Sequence, residues 1–253
     1  MSTHQEFQEK GFTILRKLFS KEEVGQVKRD ALSLFTLHLK EKNLWTSYDE
    51  PEMEKALYRF FREHQTCFIN CGKHSQYLVS LFRLSADPRI IGSAAYLGKM
   101  KFPNIATKPV LYFNSRHLAT KEIYYKVPSH QDAASMDCSS NAVVAWLPLS
   151  KITPELGPLE VVPGSHREGL LTSRVEESFG LVDKYSDPDF QAIDAEVGDV
   201  VFFSAYLVHR SGNNTSESIR WSSHFRIQDL EDPDFIKRGS PHPYIYKPIF
   251  KKD

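Results

Sequence analysis

The chain has 253 residues, 41% hydrophobic and 25% charged, which is ordinary for a globular protein with a sizeable core. Thirty-two basic residues offset thirty-two acidic ones, so the global positive field that drives nucleic-acid binding is missing and no nucleic-acid partner is expected. No apolar run approaches about 18 residues, the N-terminus has neither the basic start nor the apolar stretch of a secretory signal, and three cysteines are too few for a disulfide framework. These features fit a cytoplasmic protein without a membrane span; a monomer or homodimer is expected.

Helix signals dominate up to about residue 104. Ser20-Lys21-Glu22-Glu23 reads as a capping box, in which the serine accepts from an early amide and the glutamate reaches back. Val24, Val27, Ala31, Leu34, Phe35 and His38 then fall on one helical stripe. Asp87-Pro88 opens a second helix and Gly98 supplies its stop. Both helices read as scaffold. Between them Cys67, Cys71 and His74 are one ligand short of a closed zinc site and read as unrelated side chains.

After about residue 105 the texture changes to short apolar runs broken by Pro, Gly, Asn and Ser. "KPVLYFNS", "NAVVAWLPL", "GPLEVVPGS", "QAIDAEVGDVVFFSAYLVH" and "SIRWSSHFRIQ" are strand-like. Such strands without long intervening helices point to an antiparallel sandwich or jelly-roll barrel. The polar stretch 167–190 is long enough for a lid or an insertion. The expected organisation is a single unit over 1–253: helix-rich support over 1–104, a jelly-roll core over 105–230 and a tail over 231–253.

The chemistry centres on "VPSHQDAASMD". Composition alone predicts about one His-x-acid triplet, and His4-Gln5-Glu6 and His166-Arg167-Glu168 show what chance supplies. On a strand, however, His130 and Asp132 project to one face and can meet a single ion. The candidate third ligand is His209, at the end of "GDVVFFSAYLVHRSGN". Two imidazoles and one carboxylate leave adjacent positions open, the arrangement of non-haem iron(II) oxygenases. Beginning ten residues later, Ile219, Trp221, Phe225 and Ile227 alternate with Arg220, Ser222, His224 and Arg226, so the second face meets water or lines a wet cavity. If the His209 strand pairs with this one, Arg220 sits beside the metal, with Ser222 adding a hydroxyl to grip an acidic co-substrate. Ser165 in "PGSH" lacks the Gly-x-Ser-x-Gly elbow and reads as a turn residue.

These residues together resemble the phytanoyl-CoA dioxygenase family of iron(II)- and 2-oxoglutarate-dependent oxygenases. "FQEKGFTILRKLFSKEEV" resembles its opening and "LFRLSADPRIIGSAAYLG" its second helical block. "SHQDAASMD…AVVAWLPLSKITPELGPLEVVPGSHREG" and "GDVVFFSAYLVHRSGNNTSESIRW" follow its central and distal motifs in order. The resemblance implies a double-stranded β-helix of the jelly-roll, cupin-like kind, mainly β with a helical N-terminal layer. It implies that His130, Asp132 and His209 hold iron(II), and that Arg220 binds the far carboxylate of 2-oxoglutarate, with O2 as the other co-substrate. Trp146 would stand near the co-substrate, and Lys73 and Leu111 match looser contacts. The reaction implied is hydroxylation with release of succinate and CO2, favoured by Asp132 because related halogenases carry a small residue there, while desaturation, epoxidation or ring closure would use the same ligands.

Substrate identity is not implied. Tyr112, Asn114, Lys126, Gln131, His224 and Arg226 are candidate substrate contacts, and if Lys126 and Arg226 both face the pocket an anionic substrate is favoured. Two alternatives stay open: a cupin-like hydrolase or isomerase using another divalent metal, with no need for Arg220, and a non-catalytic binding protein on the same barrel.

Overall fold

A computed structural model describes residues 2–176 and 179–242. Its N-terminal part is helical because caps and apolar stripes recur there. α1 (Thr3–Lys10) leads into β1 (Phe12–Leu15), then α2 (Lys21–Glu41), α3 (Glu50–Glu63), α4 (Gln65–Ser75), α5 (Val79–Ser85) and α6 (Pro88–Gly98). The box at the start of α2 forms as expected: Glu23 N–H donates to Ser20 Oγ at 3.2 Å, and Ser20 N–H to the Glu23 carboxylate at 2.8 Å. Val24, Val27, Ala31 and Phe35 are buried. Gly98 has a different reason from the expected stop. A Cβ there would lie 2.6 Å from the Asn141 carbonyl oxygen, so glycine allows close approach, while Lys99 takes the left-handed turn at φ 52°.

The remainder supplies β2 (Pro103–Ile105), β3 (Val110–Asn114), α7 (Ala133–Met136), β4 (Val143–Pro148), β5 (Leu159–Val161), β6 (Arg174–Glu176), β7 (Phe179–Leu181), β8 (Gln191–Ala192), β9 (Val200–Ser204), β10 (His209–Ser211), β11 (Arg220–Asp229) and α8 (Pro233–Lys237). α8 falls in the expected tail, and 243–253 lie outside the described residues. All named strand pairs are antiparallel. The major sheet runs β1-β9-β4-β11-β2, with β3 also on β11; the minor sheet runs β10-β5-β8. His130 bridges both Leu181 and His209, and so ties the β6-β7 hairpin to the minor sheet. The architecture is the expected mainly-β jelly roll under a helical layer.

Alternation along the strands produces three layers and two cores. Val143, Ala145 and Leu147 of β4, Ile219 just before β11, and Trp221, Phe225 and Ile227 of β11 pack against the helices. Val144 and Trp146 of β4, Val201 and Phe203 of β9, and Leu159 and Val161 of β5 fill the space between the sheets. Among the described residues no helix is long and apolar enough to cross a membrane.

Three sequence expectations about local structure need correction. The apolar run ending at His209 is two strands, because the chain turns after Ser204 with Leu207 N–H donating to the Ser204 carbonyl at 2.8 Å. β10 pairs with β5, and β11 pairs with β2, β3 and β4, so the two do not form a hairpin. His130 and Asp132 do not share a strand: Asp132 has helical backbone angles (φ −63°, ψ −33°) at the start of α7.

Candidate metal centre

His130 and His209 face each other across the minor sheet, where each backbone N–H donates to the other's carbonyl at 3.0 Å. The reciprocal pair fixes the two Cα positions. Each Nδ1 then meets a carbonyl two residues upstream, Pro128 at 2.8 Å for His130 and Leu207 at 3.0 Å for His209. A carbonyl only accepts, so Nδ1 carries the proton in both rings and each Nε2 keeps its lone pair. Orientation of ligand imidazoles by such outer partners is the usual support of a metal site. Asp132 enters from the first turn of α7, and one ligand atom from each of the three residues lies within 4.8 Å of the others.

Charge distribution prepares these groups. Burial pushes His209 down to about 4, with His130 adding to the effect, and burial also lowers His130. Both rings are therefore neutral at pH 7. Burial works to raise the Asp132 carboxyl, but Arg226, His209 and His130 outweigh it and hold it well below the usual carboxylate range. Arg226 Nη2 donates to Asp132 Oδ1 at 2.7 Å. Two neutral imidazoles and an ionised carboxylate are a donor set that suits iron(II), and three protein donors leave positions for exogenous ligands.

The trio opens on a cavity of about 290 Å³ between the sheets. Trp146, Tyr112, Ser222, His224, Arg226 and Arg220 line its major-sheet wall, and Ser211 its minor-sheet wall. Arg220 is 4% exposed. Its Nε donates to Asn114 Oδ1 at 3.1 Å, Nη2 to Ser211 Oγ at 2.7 Å and Nη1 to the Gly157 carbonyl. Gly157 can approach because it has no Cβ: one would stand 2.4 Å from the Gly212 carbonyl, and its φ of +78° suits glycine. Burial lowers the Arg220 guanidinium to about 10, so it stays cationic at neutral pH. Among the described residues no carboxylate forms an ion pair with it. A buried, hydrogen-bonded but uncompensated cation is a site for an anion.

The structure separates the remaining sequence candidates. Tyr112, Ser222, His224 and Arg226 face the cavity. Asn114 does not line it; its amide donates to the Tyr125 carbonyl at 2.7 Å while its oxygen holds Arg220. Gln131 is buried with its amide fully used, donating to the carbonyls of Gly169 (2.8 Å) and Tyr206 (2.6 Å) and accepting from Leu171 N–H (2.8 Å). It fastens the chain near the start of the 167–190 stretch rather than meeting a substrate. Lys126 is drawn off to Glu122 at 3.3 Å and lines an outer groove, so the expected pairing of Lys126 with Arg226 in the pocket does not form, and of the two Arg226 alone faces it. Lys73 is exposed on α4, away from the cavity lining. Leu111 points into the helix-facing core, because alternation along β3 gives the cavity to Val110 and Tyr112. Sequence reasoning missed Ser211. Its signal was present, since it stands two residues after His209 on the same strand and therefore on the same face.

With this geometry in place, the comparisons decide the family. The sequence profile described as Phytanoyl-CoA dioxygenase (PhyH) matches residues 7–222. The chain belongs to that family. Among relatives, it is 30% identical over 125 residues to the methylphosphonate hydroxylase of Gimesia maris, covering 46% of this chain and 47% of that one. It is 25% identical over 237 residues to the peroxisomal phytanoyl-CoA dioxygenase of Rattus norvegicus, covering 89% and 68%. The chain thus spans about half the length of the first of these relatives. Among solved structures, the epimerase SnoN in complex with Fe3+, alpha ketoglutarate and nogalamycin RO superposes with a TM-score of 0.59 at 19% identity, over 90% of this chain and 82% of that one. At that identity the likeness speaks for the PhyH-type fold.

Proposed function

We propose that this protein is an iron(II)- and 2-oxoglutarate-dependent dioxygenase that hydroxylates an aliphatic carbon of a small anionic molecule, releasing succinate and CO2, and that its residues 1–253 act as one oxygenase unit. The observation that carries this reading is the convergence, on one cavity, of the His130, Asp132 and His209 donors with Arg220, a buried cation lacking an acidic partner among the described residues. Bound iron and 2-oxoglutarate supply the oxidising chemistry. The chain's own residues do the rest. His130, Asp132 and His209 hold the metal. Arg220 and Ser211 clasp the far carboxylate of the co-substrate, and Trp146 and Ser222 wall its place. The apolar lining from Val110, Val127, Leu159 and Phe203 limits water near the reacting centre.

Arg226 supports the anionic class. Its Nη2 is held by Asp132, while its Nε and the Nε2 of His224 are buried without a hydrogen-bond partner. Both project from the same face of β11 as Arg220. An oxyanion on the substrate accepts from Arg226 Nε and selects the His224 tautomer that carries its proton on Nε2, and is fixed beside the metal. The methylphosphonate hydroxylase named above is a relative of compatible substrate chemistry. A hydrolase or isomerase on this barrel has no comparable use for Arg220.

The test is anaerobic addition of iron(II) and 2-oxoglutarate to metal-stripped protein. The expected result is the visible charge-transfer band of the chelate, and its absence at saturating co-substrate overturns the oxygenase reading. Succinate release is then measured across small phosphonates, carboxylates and uncharged analogues. Stimulation by the anions alone is expected, with Arg226→Gln raising their KM about 10-fold or more, the loss of one charge-assisted hydrogen bond. Equal stimulation by uncharged analogues removes the substrate class and leaves the reaction class standing.

A further inference from the structure

A second cluster of ligand side chains lies on the far side of the major sheet from the cavity. Cys67 and Cys71 are four residues apart on α4 and therefore share one helix face. His38, in the last turn of α2, meets that face. One ligand atom from each of the three residues lies within 4.8 Å of the others, and Cys67 Sγ stands 3.5 Å from His38 Nδ1. Cys71 is buried, and Cys67 and His38 are half-buried. The His38 ring stacks on Phe60 at an interplanar angle of 15°, which holds the imidazole in place. His74, the residue that sequence proximity offered, lies outside the cluster.

We infer that His38, Cys67 and Cys71 form a second metal site, suited to zinc(II) and tying α2 to α4. Tetrahedral zinc with Zn–S near 2.3 Å and Zn–N near 2.05 Å requires an N···S separation of about 3.5 Å and an S···S separation of about 3.8 Å. The His38–Cys67 pair already has the first spacing. Closing the rest of the triangle asks for movement of no more than about 1.3 Å, within the reach of Cys χ1 rotation. Two sulfurs and an imidazole select a borderline-soft d10 ion and reject Mg2+ and Ca2+, whereas the oxygen-nitrogen trio of the cavity suits iron. The fourth position is filled by water from the half-exposed side. As zinc binds, each thiol releases its proton to solvent and the two thiolates and the imidazole donate to the ion. The consequence is mechanical. α2 and α4 pack through Phe35 and Phe68 (ring centroids 5.0 Å apart), and both rings contact Phe113 of β3, so the ion stiffens the support behind the strand that carries Tyr112.

Cobalt(II) distinguishes the two sites in the intact protein, because the cavity trio has no sulfur and only the helical cluster can give a thiolate-to-cobalt charge-transfer band. Metal-stripped full-length protein titrated with Co2+ is expected to show that band, and Zn2+ is expected to bleach it. The Cys67→Ser, Cys71→Ser double variant is expected to lose the band and to retain the iron–2-oxoglutarate chromophore, and His38→Gln to bind zinc about 100-fold more weakly, at or beyond the upper end for perturbing a metal shell. A wild-type protein without the band, or a double variant that keeps it, overturns the inference. Should the double variant fail to fold, alkylation of wild-type Cys67 decides instead. Zinc at a hundred times its dissociation constant is expected to slow labelling about 100-fold, and unchanged labelling overturns the site.

Discussion

The two faces of β11 share one backbone and differ in what they solve. Trp221, Phe225 and Ile227, with Ile219 just before the strand, face the helices, buried among apolar neighbours, and their contribution is transfer free energy and packing. Arg220, Ser222, His224 and Arg226 face the cavity, where a guanidinium is buried without a counter-charge and two nitrogens lack partners. One face lowers the energy of the fold; the other keeps charges and donors unsatisfied until ligands arrive. Strand periodicity allows one ten-residue element to do both, because successive side chains never compete for the same environment.

The largest break in this comparison comes from the apolar face. Trp221 is 1% exposed and packs on Phe113 with ring centroids 5.1 Å apart. Trp221→Ala leaves a cavity behind the sheet and is expected to cost about 3–5 kcal/mol of stability, read as a lowered denaturation midpoint. The iron–2-oxoglutarate chromophore should survive wherever the variant is still folded. Arg220→Gln inverts the pattern. It removes a buried, uncompensated cation, so ligand-free stability should hold or rise, while the KM for 2-oxoglutarate is expected to increase about 30- to 1000-fold, corresponding to about 2–4 kcal/mol. Equal losses of stability and affinity in either variant would erase the distinction between the faces.

How far this division could be read beforehand depends on the range of the interactions. The α2 capping box and the alternation of β11 were legible because each is complete within a few residues. The metal trio was legible as residues, since His130, Asp132 and His209 stand in motifs, but its support was not: Asp132 reaches the ligands from a helical turn and His130 from an isolated bridge. The serine beside Arg220 shows the same limit. Strand alternation singled out Ser222, which does face the cavity, yet the hydrogen-bond partner is Ser211 from the opposite sheet, and the packing of two sheets is not written in either strand. Likewise Gln131, adjacent to a ligand in sequence, is consumed by backbone groups from two distant loops, and His38 meets Cys67 only because α2 packs on α4 in one register.

The smallest effect comes where the two faces end. Asp229 closes β11 and is buried, accepting backbone N–H groups from Lys101 (3.1 Å), Phe102 (2.9 Å) and Glu231 (3.0 Å) and the Asn141 amide (3.2 Å). Burial works to raise its carboxyl, but these donors outweigh it and the net shift is downward. A carboxylate with a depressed folded pKa binds protons more readily in the unfolded chain. Its stabilisation is therefore fully present above the unfolded value of about 3.9 and is lost as the pH falls through the lower folded value. Asp229→Asn keeps one acceptor oxygen and is expected to cost about 1 kcal/mol at pH 7, with the gap to wild type narrowing below about pH 4 in denaturant titrations. Because Asp229 does not line the cavity, the variant's KM for 2-oxoglutarate should equal that of wild type at neutral pH. A change there would mean that strand anchoring and cavity geometry are coupled, and that the two faces of β11 do not work independently.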